Sequence, residues 1–407
     1  MSRNIIIGQS GGPTAVINAS LAGAFMEASD YEYDNIYGMV NGIEGFLKGK
    51  YVNLKDKIKS SKELNLLCQT PSSYLGSCRF KLPEPEKDSE IYKKLFEKFE
   101  KLDICAFLYI GGNDSMDTIY KLTMYGKLIG SDVKFIGVPK TIDNDLLSTD
   151  HTPGYGSAAK YIAAVTKETI RDAAVYDLKS VTVIEIMGRD TGWLTAASAL
   201  AKGDGCDGPD IICLPEVPFE AKRLIQRTEE IFKTKNNIVI AVSEGLKTAD
   251  GKNICEAEGK ITKLDAFGHK ILTGAGRYLA ELIGDKLKCK TRAIELNTMQ
   301  RSAAHFASKT DIDEAFMAGA FAVRAAEEGE NGKMVAFERS EGDYKCTAKT
   351  CEIEKIANKT KYVPDSWITK DKLNVTNEII EYIKPLILGE PEIIFKNGLP
   401  EHLVLSI

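Results

Sequence analysis

Short, unbroken apolar runs alternate with amphipathic stretches along most of this chain. Asn4–Gly8 carries Ile5-Ile6-Ile7 without a polar break, which predicts a strand buried on both faces. Runs of the same kind predict strands at Ile104–Ile110, Lys134–Val138, Val181–Met187, Asp210–Leu214, Asn237–Ser243 and Arg292–Asn297. Helical patterns lie between them, at Thr14–Ala28, Asp88–Leu102, Ser115–Leu128, Ala158–Asp177, Thr191–Lys202, Glu220–Lys233 and Gly268–Ile283. In Asp88–Leu102 the apolar positions Ile91, Leu95, Phe99 and Leu102 recur at helical spacing, and the Lys/Glu positions read as the solvated face. Continuous apolar strands separated by helices predict parallel sheets covered on both sides. Right-handed crossovers then bring the loops after the strands to one side, where ligands bind in such sheets. Beyond about residue 330 the chain is richer in Lys and Glu and reads as a smaller appended element.

Composition narrows the function classes. At 407 residues the chain has room for two domains and an extension, and 43% hydrophobic with 27% charged residues is ordinary globular content. A net charge of −5 gives no basic footprint for nucleic acid. An acidic protein that binds anions must gather its cations in a cleft. Nine cysteines without a Cys-x-x-Cys pair, and only four histidines, do not predict a zinc site. Dispersed cysteines suit a reducing cytoplasm. The N-terminus runs directly into the first strand, so no signal peptide is expected, and no apolar stretch of about 18 residues predicts a membrane span.

Four loops at strand ends carry candidate chemistry. Gly8-Gln9-Ser10-Gly11-Gly12-Pro13-Thr14 is glycine-rich and opens a helix, so its N–H groups suit a phosphate, although it is neither a Walker loop nor a dinucleotide fingerprint. Its bland alternative is a tight strand-to-helix turn. Tyr109-Ile110-Gly111-Gly112-Asn113-Asp114-Ser115 follows, in which Asp114 is either a helix cap or a group that contacts metal or limits a pocket. Gly137-Val138-Pro139-Lys140-Thr141-Ile142-Asp143-Asn144-Asp145 puts a lysine, a threonine and two carboxylates within six residues. Phosphoryl transfer needs that inventory, a base for the acceptor hydroxyl and cations for the transferring oxygens; a polar turn is the alternative. Met187-Gly188-Arg189-Asp190-Thr191-Gly192-Trp193 delivers an arginine from a buried strand, suited to an anion or to a structural ion pair.

In this order the four loops resemble the phosphofructokinase family, with Thr-Ile-Asp-Asn-Asp and Met-Gly-Arg as the specific motifs. Further matches are Leu75-Gly76-Ser77-Cys78-Arg79-Phe80, Ser243-Glu244-Gly245, and Arg292 followed by Gln300-Arg301. The resemblance spans about residues 4 to 305. It implies an α/β fold of two Rossmann-like three-layer domains with parallel-rich sheets, the active site in the cleft between them, and a C-terminal extension. The donor domain is expected at 1–155 with about 300–330, the sugar domain at 156–299, and the extension, packed on the core, at 331–407. The implied reaction is reversible phosphorylation of the 1-hydroxyl of fructose 6-phosphate.

Roles follow from the resemblance. Asp143 matches the general base; Thr141 contacts the transferring phosphoryl group or sugar. Arg189, with Met187 and Gly188, matches the sugar-phosphate end, and Glu244 a partner of sugar hydroxyls. Arg292 and Arg301 match a clamp on the 6-phosphate, with Thr298 standing where many members have His or Tyr. Gly11, Gly12, Ser115 and Arg79 fall on the donor side. Asp114 and Lys140 stand where ATP-using members usually have glycines, which implies pyrophosphate as donor: Asp114 opposes a nucleotide by bulk and charge, and Lys140 neutralises pyrophosphate.

Mg2+ is the implied cofactor. Asn113 occupies the position of a frequent metal-holding Asp, so Asn113 and Asp145 are the candidate metal residues. Ser180 replaces an arginine that crosses to a neighbouring subunit in short bacterial ATP enzymes. In longer members the segment matching Lys361-Tyr362-Val363-Pro364 reaches toward the sugar site. A cytoplasmic homodimer or homotetramer without nucleic-acid or membrane partners is expected. ATP as donor, sedoheptulose 7-phosphate as acceptor, and a non-catalytic regulatory subunit are the competing readings. His151, Tyr155, Trp193 and Cys78 are expected to be packing residues.

Overall fold

The computed structural model describes residues 3–203, 205–254 and 274–406. Its strands, in chain order, are β1 (Asn4–Gln9), β2 (Asn35–Met39), β3 (Tyr51–Asn53), β4 (Ile104–Gly111), β5 (Lys134–Pro139), β6 (Ser180–Ile186), β7 (Ile211–Cys213), β8 (Asn237–Ser243), β9 (Lys290–Glu295), β10 (Lys333–Arg339), β11 (Cys346–Glu352), β12 (Phe395–Lys396) and β13 (Leu399–Pro400).

All six residues of β1 are buried, as its unbroken apolar run requires of a central strand. It lies inside a seven-stranded sheet of order β11-β10-β5-β4-β1-β2-β3. The five inner strands are parallel, and β3 and β11 close the edges antiparallel. Strand alternation divides β1 between two cores. Ile5 and Ile7 face Leu21, Ala318 and Ala322, whereas Ile6 joins Phe99, Phe107, Met116 and Phe135. Helices Ile17–Asp30 and Lys309–Glu327 cover the first face; Ser89–Lys101 and Asn113–Ile129 cover the second. The first pair packs backbone to backbone: a Cβ on Gly319 would lie 1.8 Å from the Ser20 carbonyl oxygen.

A second sheet, β7-β8-β6-β9, is parallel throughout. Helix Tyr155–Ala173 and the C-terminal helix Asn377–Ile383 pack in the core on one side, and helices Ala221–Ile231 and Ala275–Leu287 on the other. The strand order reverses at β1/β4 in the first sheet and at β6 in the second, and crevices open at the carboxyl ends of such strands.

The segment after residue 330 does more than cover the core: β10 pairs in parallel with β5 and carries β11 into the first sheet. Other departures are local. The first helix begins at Ile17 rather than Thr14, because Pro13 and Thr14 stay in the loop. The expected helix Thr191–Lys202 is a short α-helix, Trp193–Ala197, followed by a 3-10 turn, Ser198–Ala201. The expected helix Gly268–Ile283 begins outside the described residues; its described part is Ala275–Leu287. β2, β3 and helices Ser61–Gln69 and Lys309–Glu327 have no counterpart in the sequence reading. No described helix is long and apolar enough to cross a membrane.

Candidate active site

The two sheets face each other across a cleft of about 320 Å³. One wall is made by the ends of β1, β4 and β5. After β1 the chain turns at Gly11, with φ +76°, where the Gly11 N–H donates to the Cys78 carbonyl at 3.3 Å and Ser77 Oγ donates to the Gly11 carbonyl at 2.7 Å. A Cβ on Gly12 would sit 2.9 Å from the Arg301 guanidinium, so glycine there lets the cation approach. After β4, helix Asn113–Ile129 starts at the cleft with Asp114 and Ser115 in its first turn. Lys81 Nζ lies 3.7 Å from Asp114 Oδ1.

After β5, the Lys140 N–H donates to the Gly111 carbonyl at 3.0 Å and its ammonium to the Gly12 carbonyl at 2.6 Å. Thr141 Oγ1 accepts from the Asp143 N–H at 3.0 Å, fixing the turn that points Asp143 into the cleft. Thr191 Oγ1 donates to the Asp143 carbonyl at 3.1 Å and ties this loop to the second sheet. The opposite wall carries Met187 and Arg189 after β6, Glu244 after β8, and Arg301 from the short helix Met299–Ser302. Gly188 sits just behind, its N–H donating to Glu244 Oε1 at 3.3 Å.

Burial and crossed charges set the electrostatics. Burial pulls the Lys140 ammonium down to about 8, against the attraction of Asp143. Burial pushes the Asp143 carboxyl up, opposed by Lys140. Asp145 rises to about 7 through burial and repulsion from Asp143; Glu244 rises to about 7 through burial. Burial and Arg79 lower Arg301. Arg189 keeps a buried Nε–H without an acceptor among the described residues. Such a cleft suits a polyanion that arrives with a cation.

Gly11, Gly12, Arg79, Asn113, Asp114, Ser115, Lys140, Thr141, Asp143, Asp145, Met187, Arg189, Glu244 and Arg301 therefore all line one cleft. Besides Gly188, which sits just behind the wall, two further expected members do not. Arg292 lies within β9 opposite Thr182, short of the carboxyl end, where it is half-exposed and pairs with Asp172 at 3.3 Å. Thr298 is exposed and caps Met299–Ser302. Asn113 lines the cleft but its amide is engaged: Oδ1 accepts from the Asn358 N–H at 2.8 Å and Nδ2 donates to the Lys359 carbonyl at 2.5 Å. Its Oδ1 thus has one of its two acceptor sites taken by the Asn358 N–H. Ser10, Phe80, Asp190, Thr191 and Thr360 also line the cleft. The first four adjoin motif residues and were within reach of the sequence; Thr360 comes from a distant segment with no local signal.

His151 is buried between Asp150 (2.8 Å) and Glu314 (2.7 Å), its ring stacked on Phe337. Trp193 and Tyr155 are core residues of the second sheet, with Tyr155 OH donating to the Trp193 carbonyl at 3.1 Å. Cys78 is buried beside Tyr109.

A family model described as Phosphofructokinase matches residues 4–327. The Halomonas elongata protein named pyrophosphate--fructose 6-phosphate 1-phosphotransferase is 39% identical over 98% of this chain and 95% of its own length. A protein of that name from Xanthomonas campestris is 38% identical over 99% and 96%. The crystal structure of a pyrophosphate-dependent phosphofructokinase from Nitrosospira multiformis superposes with a TM-score of 0.88 at 35% identity, covering 99% of this chain and 96% of that one.

Proposed function

Because the chain belongs to the phosphofructokinase family, we propose that its cleft transfers a phosphoryl group from pyrophosphate to the 1-hydroxyl of fructose 6-phosphate. The acceptor hydroxyl loses its proton to Asp143 as its oxygen bonds to phosphorus. The bridging P–O bond breaks, and the products are fructose 1,6-bisphosphate and phosphate. Lys140, held beside the Gly11-Gly12 turn, balances charge on the transferring oxygens. On the opposite wall Arg189 and Arg301 hold the phosphate of the sugar, and Glu244 accepts from its hydroxyls. In reverse, phosphate takes the phosphoryl group back from the 1-phosphate ester and re-forms the anhydride, so the same cleft serves both directions.

The observation that carries this reading is Asp114 and Lys140 on one wall of a single cleft. The carboxylate stands where a nucleotide would pass, and the ammonium meets a compact inorganic donor. Asp145, whose carboxyl burial and Asp143 hold up near 7, would hold a divalent cation, which would supply charge for the donor phosphates. Magnesium supplies charge screening for the polyanion. The reading extends to a cytoplasmic homodimer or homotetramer acting in glycolysis. The test is a donor swap: the purified protein turns over fructose 6-phosphate with magnesium pyrophosphate, and turnover with ATP alone refutes the donor assignment.

A further inference from the structure

Residues 358–363 lie beyond the part of the chain matched by the family model, yet they cross the cleft from one wall to the other. On the donor side Asn113 grips the backbone of Asn358 and Lys359, and Asn358 Nδ2 donates to Asp117 Oδ1 at 3.0 Å. Next, Thr360 lines the cleft itself. The Lys361 N–H then donates to the Asp145 carbonyl at 2.8 Å. The Lys361 carbonyl accepts from Trp193 Nε1 at 2.9 Å, and the Val363 N–H donates to Glu216 Oε1 at 3.1 Å, which places both on the acceptor side. Glu216 Oε1 also accepts from the Gly192 N–H at 2.8 Å, three residues after Arg189.

The Lys361 side chain continues the connection. Its ammonium donates to the carbonyls of Thr149 and Asp150 at the far end of the catalytic loop, and lies 5.0 Å from the Trp193 ring. Tyr382 OH donates to the Asp150 carbonyl at 2.6 Å and accepts from Asn144 Nδ2 at 2.9 Å, between the two carboxylates. Lys361 thus holds the loop that carries Asp143 and Asp145 at two points on its C-terminal half: the main chain at Asp145 and the carbonyls at 149–150.

We propose that residues 358–363 form a strap that sets the separation of the donor and acceptor walls, with Asn113 and Lys361 as its positioning residues. The inference rests on the function proposed above. Asn113 suits this task because an amide supplies both the acceptor for Asn358 N–H and the donor for the Lys359 carbonyl. A carboxylate at 113 keeps the first bond and sets negative charge against the second carbonyl. Neither residue touches reacting atoms in this assignment. They act on geometry, where a misplacement near 1 Å costs about 10²-fold in rate.

The test uses the full chain with magnesium pyrophosphate and fructose 6-phosphate. Lys361→Met is expected to lower kcat roughly 10-fold or more, while KM for both substrates stays within about 2-fold, and Lys361→Arg is expected to recover most of the loss. Asn113→Asp reads the other end independently. The strap predicts lower kcat at an unchanged half-saturating magnesium concentration; tighter magnesium dependence with undiminished kcat assigns Asn113 to the metal and overturns its tether role. Unchanged kcat in Lys361→Met, or a loss confined to KM, overturns the proposal. Should Lys361→Met fail to fold, the Asn113→Asp result decides it. Wild-type protein assayed alongside separates the two ideas: a wild type inactive with pyrophosphate sinks the function, and an active wild type with indifferent variants sinks only the strap.

Discussion

The ammonium of Lys140 donates to the carbonyl oxygen of Gly12 at 2.6 Å, across 128 positions of sequence. β1 and β5 are not neighbours in the sheet, since β4 lies between them, so this contact closes one wall of the cleft above the intervening strand. It fixes a cation beside the Gly11-Gly12 turn before any anion arrives.

Replacing that cation has a direct cost. Lys140→Met is expected to lower kcat with pyrophosphate by about 10²–10³, the size of a lost preorganised charge. The ammonium is needed protonated and sits at about 8, so activity falls as pH rises through that value. Lys140→Arg, protonated at every working pH, moves the alkaline limb upward. A pH–rate profile of the three proteins checks this.

Asp143→Asn removes the base and is expected to reduce kcat by about 10²–10⁴. Fructose 6-phosphate binding, followed by calorimetry, stays near wild type. In the wild type the acid limb lies above the usual carboxylate range, because burial raises Asp143. Full activity in the variant eliminates the proposed base.

Asp114→Gly opens the donor wall and releases Lys81 from its partner 3.7 Å away. The variant is expected to gain measurable turnover with ATP and to lose efficiency with pyrophosphate. An unchanged ratio of kcat/KM for the two donors removes the steric and electrostatic argument.

Asp311 tests the joint between helices rather than the chemistry. From helix Lys309–Glu327 its two oxygens accept the N–H groups of Gly154 and Ser157, each at 2.8 Å, capping helix Tyr155–Ala173. Asp311→Ala leaves both donors buried and unpaired, a loss of about 2–3 kcal/mol visible in chemical denaturation. Burial holds the Asp311 carboxyl up at about 6, above its unfolded value. The proton-linked part of its contribution is therefore full below the unfolded pKa and is lost as pH rises through about 6, while the two N–H bonds persist to the ionised carboxylate; Asp311→Ala abolishes that part of the pH dependence.

The catalytic loops were legible because each is contiguous. A strand's apolar run ends, a glycine or proline turns the chain, and the chemistry follows within six residues, as in Lys140 to Asp145. The same locality explains why Arg189 and Glu244 could be placed at strand ends. Arg292 shows the limit. The family resemblance paired it with Arg301 in one clamp; within the chain its register leaves it in mid-strand, beside Asp172 and away from Arg301.

What the sequence determined by itself was the alternation of buried strands and covering helices, and the four loops that end those strands. These are encoded by neighbours in the chain, through side-chain period and turn chemistry. Tertiary structure alone decided that β10 extends the first sheet, that Asn113 grips the backbone at 358–359, and that Thr360 enters the cleft. Those contacts join residues far apart in sequence. They depend on how packed elements meet, and leave no periodic trace in the order of residues.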